Sequence, residues 1–204
     1  FHAEKYKSLS TVELVGIVDT DKKQADQIAS GLKTKPFYSY KDILSKNIVD
    51  AVSIVVPTSL HYKIAKDFLA EGIDVLLEKP MTNTIGEADE LIKIARHNKT
   101  IFQVGHLERF NAAIIASEGI VKNPIFIESQ RLSPFPNRST DIDVVLDLMI
   151  HDIDIIMNFV KSEIESVDAV GIPVISDKVD VANARIKFKN GCVANVTASR
   201  VSKE

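Results

Sequence analysis

The chain has 204 residues, enough for one large domain or two small ones. An apolar share of 45% and a charged share of 26% are those of a globular protein and exclude a disordered one. A net charge of −3 with scattered Lys and Arg leaves no footprint for nucleic acid, and the single Cys192 excludes an internal disulfide and a cysteine zinc site. No leader-like opening and no bilayer-length apolar run is present, so the expected location is cytoplasmic with no membrane partner. The eight glycines stand singly, no two closer than fourteen positions. A phosphate-cradling loop needs two or three within about six residues, so neither G-x-G-x-x-G nor a P-loop occurs here.

In chain order, the first half alternates between two periods. Val12–Val18, Ala51–Val56, Ile73–Leu77 and Ile101–Val104 are short runs rich in Val and Ile, the pattern of strands covered on both faces. Between them Asp21–Ser30, Ser59–Glu71 and Ile85–Asn98 read as helices, the second with Leu60, Ile64, Ala65, Phe68 and Leu69 on one face and Gly72 as its stop. Strand–helix alternation with short turns predicts βαβ units and a mainly parallel sheet.

After Gly105 the pattern changes. A helix over Glu108–Ser117, a strand over Ile125–Leu132, a loop through Pro134 and Pro136, and a long helix from Val144 to Val160 are expected. Glu163–Val174 and Ala182–Ser199 read as longer strands, with Asn190-Gly191 supplying the positive-φ residues of a hairpin turn. The expected fold class is therefore α/β followed by α+β. Residues 1–106 would form the mainly parallel part and residues 107–204 an open, largely antiparallel one, with the boundary near residues 105–108.

Four places could carry chemistry. Asp19 ends a strand, where an acidic residue accepts hydrogen bonds from ribose hydroxyls ~20 residues after a glycine loop. Counting back by that amount reaches Phe1, so the loop would precede this chain; equally, Asp19 or Asp21 could simply cap the next helix. Glu78-Lys79-Pro80 follows another strand at the end where open parallel sheets bind ligands. Pro57, Thr58 and His61 follow a third in the same way, with Ser59 the better helix cap.

The Val144–Val160 helix is the most informative element. At 100° per residue Asp147, His151, Asp154 and Asn158 fall within about 60° of one another on an otherwise apolar helix, a polar seam opening onto a cleft. A carboxylate four residues before an imidazole can orient it and raise its basicity, as a general base requires. Asp152 points elsewhere, toward a structural partner. Asp141, Asp143 and Asp147 with His151, Asp152 and Asp154 also invite a metal-dependent hydrolase reading, but helical phase scatters them and no metal ligand set is expected.

Together, Val15-Gly16-Ile17-Val18-Asp19, Val56-Pro57-Thr58-Ser59-Leu60-His61, Val75-Leu76-Leu77-Glu78-Lys79-Pro80, Val104-Gly105-His106 and the Asp147/His151/Asp154 spacing resemble the Gfo/Idh/MocA family of NAD(P)-dependent oxidoreductases. The resemblance implies hydride transfer between NAD, with NADP an alternative, and a secondary hydroxyl of a sugar, sugar nucleotide or cyclitol. It implies Lys79, Asp147 and His151 as the catalytic set, with His151 as base, Asp147 orienting, and Lys79 holding the reacting hydroxyl. It implies that Asp19, Pro57, Thr58, His61, Glu78, Lys79 and Gln103 bind the cofactor, and that Arg109 joins the catalytic three in binding substrate. Gly105-His106-Leu107-Glu108-Arg109-Phe110-Asn111 looks like the nucleotide-sugar branch, with Ala112 where that branch has proline. The resemblance further implies that residues 1–106 are a Rossmann-type dinucleotide-binding domain without its first strand and glycine loop, and that residues 107–204 are a partial domain for substrate, catalysis and oligomerisation. It implies that the protein is a homo-oligomer, dimer or tetramer, through the second-domain sheet, and that the chain is an internal portion of a larger oxidoreductase. A non-catalytic relative acting as an assembly module is the competing reading.

Overall fold

The computed structural model describes residues 1–135 and 142–203. Pro136 of the expected loop and Asp141 of the acidic run lie outside the described residues. Two compact units emerge, one formed by Phe1–Val56 and Leu60–Val104, the other by Pro57–Ser59 and the chain from Gly105 onward. Among the described residues no helix is long and apolar enough to cross a membrane.

The first unit is α/β. Helix α1 (His2–Ser8) precedes strand β1 (Gly16–Val18), helix α2 (Lys22–Leu32), β2 (Lys35–Phe37), α3 (Tyr40–Leu44), β3 (Ala51–Ile54), α4 (Thr58–Ala70), β4 (Asp74–Leu77), α5 (Ile85–Asn98) and β5 (Phe102–Val104). Strands β1 and β2 pair in parallel, as do β3, β4 and β5 in that order. The helix ends are written in side chains. Asp21 accepts from the Lys23 and Gln24 N–H groups at the start of α2, Thr84 and Glu87 form a capping box on α5, and Gly72 follows α4 at φ 77°. Ile54, Val75 and Leu77 of the strands pack with Ala65, Phe68, Leu69 and Leu91 of the helices in one buried core.

Strand β2 and helix α1 escape the periodicity argument. Strand β2 is three residues long and contains Pro36, and α1 buries none of its residues, so neither carries an apolar period. Ser59 lies inside α4 instead of capping it, because the helix already starts at Thr58.

The second unit holds a four-stranded sheet in the order β6-β9-β8-β7, from β6 (Phe126–Leu132), β7 (Ile164–Ile172), β8 (Val181–Phe188) and β9 (Val193–Ser199). Only the β6–β9 pair is parallel. Strand β8 alternates strictly, burying Ala182, Ala184, Ile186 and Phe188 against Ile156 and Val160 of α7 (Ile150–Val160) while Asn183, Arg185 and Lys187 face out. The β8–β9 hairpin differs from expectation. Gly191 alone has positive φ; its N–H donates to Phe188 O while Phe188 N–H donates to Cys192 O, a three-residue loop ending in a glycine bulge.

The expected 108–117 helix is two pieces, a 3-10 turn at Leu107–Phe110 and α6 (Ala112–Glu118), broken at Asn111, whose side chain caps α6 through Ala113 N–H. Ala112 is thus the first residue of a helix, a position that proline suits equally, so that departure from the branch pattern leaves the backbone unaffected. The long helix is also two pieces. Val145–Met149 is a π-helical turn that runs into α7.

Candidate functional site

In the first unit the expected residues gather at the carboxyl ends of parallel strands. Asp19 follows β1, donates its N–H to Phe37 O, and its carboxylate accepts from Asp21 N–H at 2.8 Å and Gln24 Nε2 at 2.6 Å. Asp21 does the capping, which leaves Asp19 half-buried at the strand end with further lone pairs to offer. Lys22, one of the two lysines that keep a 2′-phosphate open, lies over the Tyr38 ring at 5.3 Å. Gln103, in β5, is exposed. Asp19 thus offers carboxylate lone pairs at the carboxyl end of a parallel strand, and the singly spaced glycines of the sequence supply no cradle for a phosphate.

The turn after β4 is built differently from a simple ligand-facing loop. Glu78 N–H donates to Ile54 O of β3, Glu78 Oε1 lies 3.0 Å from His2 Nε2, and Glu78 Oε2 accepts from Lys79 N–H at 3.3 Å. His2 Nδ1 meets Ser53 Oγ at 2.7 Å. His61 is 1% exposed, with Nδ1 2.8 Å from Pro80 O and Nε2 2.9 Å from Val56 O. The expectation that His61 offers its ring to a cofactor is therefore corrected: both nitrogens are taken by main-chain carbonyls inside the unit. Pro57 is exposed and Thr58 buried at the start of α4.

In the second unit the polar seam resolves into separate jobs. Asp143 accepts from the Val145 and Leu146 N–H groups and so caps the π turn. Asp147, on that turn, is buried at 7% exposure, and His151, in the first turn of α7, is half-buried. The wider turn breaks the 100° phase on which a single stripe depends, and π turns occur frequently at functional sites. Asp154 and Asn158 do not face an open cleft: Asp154 takes a two-pronged grip from Arg109, both bonds 2.6 Å, and Asn158 donates to Glu118. The Arg109 fork is thereby filled by Asp154 instead of standing open to a substrate phosphate or carboxylate, and that hydrogen bonding raises the guanidinium pKa further. Asp152 pairs with Arg131 of β6 at 2.7 Å, the structural partnership expected for it.

His106 was not assigned a role from sequence; its Nδ1 lies 3.9 Å from Asp154 Oδ2. His2 carries no sequence signal, since a lone histidine in a stretch without an apolar period belongs to no motif. Among the described residues no three of His, Cys, Asp and Glu come together as a metal site.

Parallel strands with crossover helices, an acidic residue ending β1 and a lysine turn ending β4 define a dinucleotide-binding α/β unit. Residues 1–106 match the oxidoreductase family with an NAD-binding Rossmann fold, and residues 124–204 match the GFO/IDH/MocA C-terminal domain. The chain belongs to the Gfo/Idh/MocA oxidoreductase family. It is 40% identical over 205 residues to UDP-N-acetylglucosamine 3-dehydrogenase of Acidithiobacillus ferrooxidans, covering 100% of this chain and 64% of that protein. The solved structure of that enzyme matches with a TM-score of 0.91, covering 100% of this chain and 67% of the other. The scyllo-inositol 2-dehydrogenase (NAD(+)) of Bacillus subtilis is 29% identical over 219 residues, 99% of this chain and 64% of its own length. The chain thus spans just under two thirds of these curated relatives.

Proposed function

We propose that the protein is an NAD-dependent dehydrogenase acting on a secondary hydroxyl of a sugar nucleotide, with cyclitols the next substrate class. The observation that carries this reading is the 40% identity, along the whole chain, to an enzyme named as a UDP-N-acetylglucosamine 3-dehydrogenase. When bound, the dinucleotide supplies the hydride acceptor at its nicotinamide. Asp19 accepts from the ribose hydroxyls, and its charge disfavours a 2′-phosphate, which selects NAD over NADP. Lys79 holds the reacting hydroxyl and lowers its pKa, His151 takes the proton, and Asp147 orients the imidazole or the sugar.

The test is titration of the full-length protein with NAD, then a screen of UDP-sugars and inositols for reduced nicotinamide absorbance. Turnover should appear with a sugar nucleotide, and Lys79→Ala should lower kcat by about 10²–10⁴-fold. Undiminished turnover in that variant would overturn the role of Lys79, and no reduction of NAD with any of these substrates would favour the assembly-module reading. The outward face of β8, with Asn183, Arg185 and Lys187, supports the further proposal of a dimer or tetramer through this sheet. Light scattering that returns a monomer mass would remove it.

A further inference from the structure

We infer that His2 and His61 are positioning residues that clamp the Lys79 turn from both sides; the inference rests on the reading of Lys79 as the residue that holds the reacting hydroxyl. Lysine hangs its ammonium on a flexible four-carbon stem, so the backbone at its root decides how narrowly the charge is placed. Hydrogen bonds fix that root on two sides, through His2 to β3 and through His61 to α4. On one side, with its proton on Nε2, His2 accepts from Ser53 Oγ at 2.7 Å and donates to Glu78 Oε1 at 3.0 Å, and the other carboxylate oxygen receives Lys79 N–H at 3.3 Å. On the other side, His61 lies between Val56 O at 2.9 Å and Pro80 O at 2.8 Å, donating to one carbonyl in either neutral tautomer and to both as the imidazolium.

With the His61 proton on Nδ1, Lys79 is thus bracketed by Glu78 and Pro80, each held by a histidine, one anchored to Ser53 of β3 and the other carried by α4. The side chains that the sequence offers as cofactor ligands, Glu78 and His61, are spent inside the unit. His61 is 1% exposed, and the His2 and Glu78 side chains are 25% and 21% exposed. Their hydrogen bonds run to each other, to Ser53 Oγ and to main chain, which is the arrangement of a support for a reactive group and not of a ligand shell.

A double-mutant cycle in the full-length enzyme, with NAD and the best sugar nucleotide, tests the clamp. His2→Leu and His61→Leu should each lower kcat about 10–100-fold, the scale of a misplacement near 1 Å, while KM for NAD and for the sugar stays within about 3-fold. His2→Gln, which keeps a donor at the Nε2 position, and His61→Asn, which keeps one at the Nδ1 position facing Pro80 O, should restore most of the loss and report on the clamp if a leucine variant fails to fold. In a Lys79→Ala background, assayed at enzyme concentrations high enough to read residual turnover, the same histidine variants should cause no further loss. Amide exchange at Lys79 should quicken in His2→Leu even without substrate. Losses that multiply with Lys79→Ala, or that appear in KM, would overturn the clamp and leave the proposed function standing. A Lys79→Ala enzyme as fast as wild type would overturn both.

Discussion

At the scale of single residues, Arg109 shows how geometry reassigns a side chain that composition leaves open. An arginine at a helix start suits a nucleotide-sugar phosphate, and nothing in the sequence pairs it with a residue 45 positions away. The structure does so through Asp154, whose side chain is 11% exposed while that of Arg109 is 47% exposed. A half-exposed pair of good bidentate geometry contributes at the upper end of the surface range, about 1 kcal/mol. Arg109→Ala should therefore lower stability by about that amount in a urea titration and shift KM for the sugar nucleotide by less than about 3-fold. A tenfold rise in KM with unchanged stability would return Arg109 to the substrate. Cys192 is settled more simply: it is buried, and burial pushes its thiol pKa up, away from reactivity.

At the scale of elements, what the sequence makes legible is what has a period or a stop signal. The runs at 51–56 and 73–77 become β3 and β4, the 85–98 helix lies where its capping residues put it, and the glycine after 71 ends α4. What stays hidden has neither. Strand β2 is three residues around a proline, and the π turn at Val145–Met149 looks apolar and helical in sequence because one extra residue per turn leaves no mark on composition. Gly16 lies between these cases. Its place in Val15-Gly16-Ile17-Val18-Asp19 reads as a motif, and the structure supplies the cause: a Cβ there would meet the main-chain oxygen of Lys35 at 2.9 Å and collide with the Phe37 ring. Strands β1 and β2 approach this closely only because that position lacks a side chain. Gly16→Val should cost about 1–3 kcal/mol by overpacking, read as a lower denaturant midpoint. A neutral result would show that the β1–β2 pair can shift without loss.

At the scale of the whole molecule, each unit has its own buried core, and the second is tied by a charge pair that hydropathy patterns cannot reveal. Arg200 and Asp180 are both 0% exposed. Arg200 donates through Nε to Asp180 Oδ1, through Nη1 to Ile142 O and through Nη2 to Ser176 Oγ, with the Phe135 ring 5.5 Å away. It thereby joins the end of β9 to the loop after β7 and to the segment that enters the π turn carrying Asp147. Burial alone would favour the neutral acid of Asp180. The Ser176 N–H and Oγ–H and the N–H groups of Val174 and Ile175 outweigh it and hold the carboxyl far below the usual carboxylate range. A folded-state value below the unfolded one, ~4, means that the carboxylate stabilises the fold at neutral pH and that this contribution fades as pH drops below about 4. Asp180→Asn keeps the shape but places amide hydrogens against donors, so it should melt at a lower temperature at pH 7 and lose less on acidification. The two melting curves should converge between about pH 4 and 2, with amide exchange in β7 to β9 rising first in the wild type. Parallel curves over that range would mean that Asp180 is not the group whose protonation loosens this sheet.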